Sequence, residues 1–206
     1  MVNFFKCVSC LIVLAIAGTV SFAQSKVRML TPNESESVKN VVSFSQVHDL
    51  VGPVLYDSTQ SIQVMLNDSM YFNVIPVRYE SKNPEDSGHI FRCAVVVQNQ
   101  KGAVNLIYTI GYNAYEVIEC DKLKAVGMMN AEGEFAPKLL FVYMGSANPR
   151  DVEIIPFVLD WDAASGRYVA DEKLSEYLED AHGTDTIAGM KRALRAYDEA
   201  HKRKNR

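Results

Sequence analysis

Ile155-Pro156-Phe157-Val158-Leu159-Asp160-Trp161-Asp162-Ala163-Ala164-Ser165-Gly166-Arg167 is the stretch that decides the fold class. Ile155, Phe157, Leu159 and Trp161 fall on alternate positions and therefore share one face of a strand. Asp162 to Gly166 then supplies a hairpin turn, with a glycine free to take positive φ, and a second strand begins at Arg167. A turn this short joins antiparallel neighbours, because a parallel pair needs a crossover of roughly a dozen residues or more.

The same grammar extends upstream. Leu139-Leu140-Phe141-Val142-Tyr143-Met144 is apolar without alternation, which predicts burial on both faces in the middle of a sheet. Tyr115 to Met129 reads as two strands joined near Asp121-Lys122. Val104, Leu106, Tyr108 and Ile110 mark the inward face of a further strand, with Asn105 and Thr109 opposite. Phe91, Cys93, Val95 and Val97 define another, and Ile62, Val64 and Leu66 another still. Phe72 to Tyr79 is interrupted by Pro76, which suits an edge strand or a bulge. No helix between these strands is long enough for a parallel crossover, so the pattern is an antiparallel meander.

After residue 170 the period changes. Leu174, Tyr177 and Leu178 predict a short helix stopping at Gly183, with Thr184 or Asp185 capping the next. That second helix carries Ile187, Met190, Leu194 and Tyr197 on one stripe, suited to covering a sheet. The expected fold is therefore α+β: a mostly antiparallel β-meander of about seven to nine strands, with room for curvature, and two C-terminal helices packed on it. Val126-Gly127-Met128-Met129-Asn130-Ala131-Glu132-Gly133-Glu134-Phe135, followed by Leu139 to Tyr143, resembles one FG-GAP or propeller-type half-repeat. It lacks the acidic ligands that such repeats use for calcium, so the resemblance implies strand–turn–strand alone.

The N-terminus reads as a targeting segment. Lys6 is the only charged side chain ahead of an apolar core centred on Leu11 to Ala17, and Ser21-Phe22-Ala23 places small residues at −3 and −1 of a cleavage site. The apolar stretch is short of the roughly 20 residues that cross a bilayer. Residues 1–23 are thus expected to be a cleaved signal peptide, 24–37 a loose N-terminal arm broken at Thr31-Pro32-Asn33-Glu34-Ser35, and 38–206 one globular domain, β-rich over 38–170 and helical over 171–206. The expected location is the periplasm of a Gram-negative bacterium, or the exterior in any other cell.

Cleavage would leave 183 of 206 residues, carrying 20 basic and 25 acidic side chains. That acidic balance gives no electrostatic reason to expect nucleic acid. It would also remove Cys7 and Cys10, leaving Cys93 and Cys120 as an expected disulfide in an oxidising compartment.

Catalytic signatures are missing: there is no Gly-x-Ser-x-Gly, no His-Glu-x-x-His, no phosphate-binding glycine loop and no Cys-x-x-Cys beyond the leader. Asp160-Trp161-Asp162 starts like a calcium loop, but Ala164 and Ser165 stand where a ligand and a glycine are needed. Asp180, His182 and Asp185 are better suited to helix ends than to a metal, and His48-Asp49 and His89 lack a third catalytic member. No catalytic residue, cofactor or metal is assigned.

The reading is an exported, non-catalytic binding protein: a protein-binding inhibitor or immunity-type factor acting on an envelope enzyme. An envelope assembly or structural factor and a hydrolase are the alternatives. The expected partner is another protein in the envelope or extracellular space, with no nucleic acid and no membrane span after cleavage. Asp160, Trp161, Asp162, Glu132 and Glu134 are the candidate contact residues. N-terminal sequencing of the exported protein is expected to begin at Gln24; an intact Met1 would refute the leader.

Overall fold

The computed structural model describes residues 25–39, 50–67, 70–82, 88–112, 118–130, 134–148 and 151–204. Among them are ten strands and three helices: β1 Lys26–Met29, α1 Pro32–Lys39, β2 Leu55–Tyr56, β3 Ile62–Asn67, β4 Met70–Lys82, β5 His89–Asn99, β6 Val104–Tyr108, β7 Glu119–Met129, β8 Lys138–Asn148, β9 Asp151–Asp162, β10 Arg167–Ala170, α2 Glu172–Asp180 and α3 Ile187–Lys204. Residues 1–23, the expected signal peptide, lie outside the described residues. Among those described, no helix is long and apolar enough to cross a membrane.

Every strand pairing is antiparallel. The strands form two sheets rather than one: six strands in the order β1-β3-β4-β5-β6, with β2 on β4, and four in the order β10-β9-β8-β7. Each sheet holds a run of consecutive strands, so the meander occurs twice. Periodicity tells which face of a strand is apolar; it does not tell which sheet the strand joins.

The inner faces of the two sheets share one core. Val64, Val74 and Val95 from the first meet Leu139, Phe141, Phe157 and Leu159 from the second. The Cys93–Cys120 disulfide bridges β5 to β7 across this layer, with a Cα separation of 5.8 Å. The unbroken run on β8 is buried on both sides as its sequence predicts. Leu139, Phe141 and Tyr143 point between the sheets, while Leu140 and Val142 meet Leu174, Leu178, Met190 and Leu194 of the helices.

Several local expectations are corrected. Where two strands joined near Asp121-Lys122 are expected, Glu119–Met129 is one strand, β7, which runs through Asp121-Lys122 with register irregularities between Cys120 and Lys122 and between Leu123 and Ala125; Tyr115 to Val117 lie outside the described residues. A bulge absorbs the extra residue without ending the strand. On β6, Val104, Leu106 and Tyr108 pack with Ile75 and Val77 on the outer face of their sheet, whereas Ile107 and Ile110 enter the inter-sheet core. The face switches after Tyr108, where Thr109 donates to the Cys93 carbonyl and Cys93 donates to that of Ile110.

Pro76 lies in an interior strand and not at an edge, paired with Val95 of β5. Its carbonyl accepts from Asp57 N at 3.2 Å on the side where β2 takes over from β3. A residue's N and C=O point the same way in a strand, so the missing N–H falls at that gap and no ladder bond is lost.

Where a loose arm is expected, β1 pairs with β3 and α1 follows. Thr31-Pro32-Asn33-Glu34 is a capping box and not a breaker. Thr31 N donates to Glu34 Oε2 at 2.8 Å, Glu34 N donates to Thr31 Oγ1 at 3.3 Å, and Pro32 occupies the first helical position. Arg28 adds a bidentate pair to Glu34 at 2.6 and 2.9 Å. This pair, with the Thr31 groups, holds the Glu34 carboxyl down at about 2.

At the C-terminus, Asp171 caps α2 by accepting from Leu174 N at 3.0 Å, and Ser175 Oγ accepts from Val158 N, tying that helix to β9. Helix α2 ends at Asp180, with Ala181 and not Gly183 as its C-cap, and α3 is capped by Thr186, which accepts from Gly189 N at 3.1 Å. Thr184 instead closes the linking turn by donating to the Ala181 carbonyl. A Cβ on Gly189 would lie 1.6 Å from the Gly183 carbonyl oxygen, so this contact between turn and helix tolerates only glycine.

Two substitutions separate the constraints. Cys93→Ala with Cys120→Ala is expected to cost about 3.5 kcal/mol in denaturant unfolding, the value for releasing a loop of this length. Gly189→Ala is expected to cost roughly 3 kcal/mol through the forced shift of the turn. A loss below about 1 kcal/mol for either would contradict the corresponding role.

Candidate functional site

Both sheets present turns at one end of the sandwich. The β5–β6 turn is held by Asn99, whose Oδ1 accepts from Lys101 N at 2.9 Å and Ala103 N at 3.0 Å. The β9–β10 turn is held by Asp162, whose carboxylate accepts from Ala164 N at 3.0 Å and from Ser165 Oγ at 2.6 Å. Gly166 follows at φ 65°, where a side chain would be strained. The start of β4 and the β7–β8 connection reach the same end.

Between them opens a cleft of about 530 Å³, walled by Phe72, Trp161 and Phe135, with Lys101 and Gln100 at its margin. The aromatic rings form a linked set. Trp161 packs edge-on to Phe72 and Tyr168, both at 5.4 Å, and Phe135 lies 5.7 Å from Trp161. Phe72 and Tyr168 belong to the core, whereas Phe135 is 49 % exposed. The set therefore runs from a fixed interior to an open rim. Ring pairs of this kind stabilise beyond their burial and hold the indole in one orientation.

The acidic residues here are occupied internally. Asp160 pairs with Lys138, whose side chain is only 7 % exposed, and Glu134 reaches the same ammonium at 3.2 Å. Burial pushes the Lys138 pKa down, but the hydrogen bond to Asp160 and the charges of Asp160 and Glu134 outweigh it, so the net shift is upward. Asp162 holds its own turn, and its carboxyl is lowered by the Ser165 hydroxyl and the Ala164 amide. Tyr168 donates to the Pro137 carbonyl at 3.1 Å, and its phenol is pushed up by burial and by the charge of Asp160.

Of the five contact residues expected from sequence, Asp160, Trp161, Asp162 and Glu134 thus surround one region, and Trp161 lines the cleft itself. Glu132 lies outside the described residues. Phe135 and Phe72 were not anticipated. Phe135 follows a glycine–acid stretch that reads as plain turn, and Phe72 is one apolar residue among many in its strand.

His48-Asp49 and Asp68 are outside the described residues. His89 Nδ1 lies 2.9 Å from Glu80 Oε1 across β4 and β5, with the imidazole 48 % exposed and away from the aromatic cleft. Asp185 faces Lys124 at 3.8 Å, and among the described residues no group of three His, Cys, Asp or Glu side chains could hold a metal. The chain matches no protein-family model, no curated protein and no solved structure.

Buried titratable groups set an alkaline limit on stability. Lys138 is raised, and so are the buried phenols of Tyr79, Tyr143 and Tyr168, in each case chiefly through burial for the phenols. A raised folded pKa contributes stability that is complete below the unfolded value, near 10 for Tyr and Lys, and is lost as pH rises through the folded value. Stability should therefore hold up to about pH 10 and fall above it, with late phenolate absorbance appearing together with loss of the far-UV signal. Lys138→Met should cost about 1–2 kcal/mol at neutral pH by leaving the Asp160 carboxylate unpaired.

Proposed function

We propose that this chain is an exported, non-catalytic binding domain that engages another protein, of the inhibitor or immunity kind, through the turn-lined end of its sandwich. The observation that carries this reading is the aromatic cleft there. Trp161 is fixed by core rings, Phe135 stands half open, and the surrounding turns are braced by Asn99 and Asp162. Binding residues on turns held by a rigid scaffold are a common solution, and aromatic anchors dominate the energetics of protein interfaces. Rigid rings lose little side-chain entropy on binding.

The contact is aromatic at its centre. Asp160 and Asp162 serve the domain's own structure, so their charges support the cleft instead of reaching into a partner. An apolar or aromatic side chain of the partner would enter beside Trp161, while Lys101 and Gln100 at the rim would make polar contacts.

The mature, disulfide-bonded protein should retain one stoichiometric protein partner from an envelope extract at low salt. Phe135→Ala should lose that partner at least about tenfold while leaving thermal unfolding within about 0.5 kcal/mol of the parent, because the ring is half exposed. Retention of no stoichiometric protein, or equal retention by Phe135→Ala, would overturn the proposal.

A further inference from the structure

Further along β4, where β2 replaces β3 as its neighbour, a second cleft of about 320 Å³ opens between the sheets beside the disulfide. Arg78 lines it, and its guanidinium is held from two sides. Nε donates to the Cys120 carbonyl at 2.8 Å, and the carbon of the guanidinium sits 3.6 Å from the centre of the Phe91 ring. Among the described residues no carboxylate pairs with it. An arginine fixed by one edge and one face, with its terminal amino groups uncommitted, is prepared for a planar two-oxygen acceptor.

The remaining groups narrow the choice of acceptor. Asp57, Asp121 and Lys122 also line the cleft, so its formal charge is balanced. Asp57 is committed to Thr59 and Gln60, accepting from Thr59 Oγ1 at 2.7 Å and Gln60 Nε2 at 3.2 Å. Asp121 and Lys122 form no ion pair among the described residues. A multiply charged anion would meet two carboxylates here, whereas a ligand carrying one carboxylate and one ammonium meets a partner for each. Behind them Tyr143 lines the cleft. Its hydroxyl is fully buried beside that of Thr109, and burial pushes the phenol pKa up.

We infer that this cleft binds a small zwitterion of the α-amino-acid class, its carboxylate on Arg78 and its ammonium on Asp121. The volume is at the lower end of small-ligand sites, which suits a molecule of that size. This site is separate from the aromatic cleft, and failure of either proposal leaves the other standing.

The test is a nuclear magnetic resonance titration of the mature, disulfide-bonded protein with a panel of free α-amino acids, each beside its carboxamide and its des-amino acid. At least one amino acid should shift the resonances of residues 55–59 and 121–123 saturably. Its carboxamide should bind about tenfold more weakly or worse, and the des-amino acid should also bind more weakly, because each removes one charge-assisted contact. Arg78→Gln should reproduce the carboxamide loss and Asp121→Asn the des-amino loss. The ligand analogues keep the test decisive if Arg78→Gln fails to fold. Absence of any saturable shift across the panel, equal binding of the carboxamide, or inorganic phosphate binding as tightly as the amino acid would overturn the inference.

Discussion

The inter-sheet layer is the constraint on which the rest of the molecule depends. Two meanders present apolar faces that neither can bury alone, and their contact is fixed on the β5–β7 side by Cys93–Cys120. Polar straps reinforce the same seam. Arg78 reaches the Cys120 carbonyl, Gln60 Nε2 donates to the Leu123 carbonyl at 3.0 Å, and Asn105 Nδ2 donates to the Tyr168 carbonyl at 3.0 Å. Each crosses between sheets, so they fix how the layers are placed on one another as well as their closeness. The outer face of the second sheet is then free to receive α2 and α3, which anchor where β10 stops and Ser175 takes up the Val158 amide.

Both clefts are consequences of that seam. At the turn end the sheets diverge around Phe72, Trp161 and Phe135, and the core aromatic set continues outward into a surface. Beside the disulfide they leave room where the neighbour of β4 changes from β3 to β2. Pro76 lies at that junction, where no backbone donor is required. A break in sheet regularity thus coincides with an opening that a fixed cation faces. The two clefts differ in chemistry, the first aromatic and the second balanced in charge.

Particular residues show how far the sequence could be read. Alternation placed Ile155, Phe157, Leu159 and Trp161 on one face correctly, because a strand's side chains have no other way to lie. The doubly buried run on β8 was equally legible. Thr31-Pro32-Asn33-Glu34 carried a complete capping box, but its polar composition read as an arm, since a short polar helix leaves no apolar stripe. The β7 bulge at Asp121 looked like a turn because the same polar residues serve both. The pairing of Asp160 with Lys138 joins residues far apart in sequence and leaves no trace in local spacing.

By itself, then, the sequence determined the strand-rich, antiparallel class, the turn at Asp162–Gly166, the two C-terminal helices with their apolar stripe, and the two cysteines available to bond. These follow from period, turn chemistry and counting, all of which are local. Tertiary structure alone decided that the strands divide into two sheets, that Phe135 joins Trp161 in a cleft, and that Arg78 lines a second cleft with no carboxylate paired to it among the described residues. Each of these depends on which strands pack face to face. Burial of apolar area drives that packing, and it depends on complementary shape across the whole chain more than on any one stretch of it.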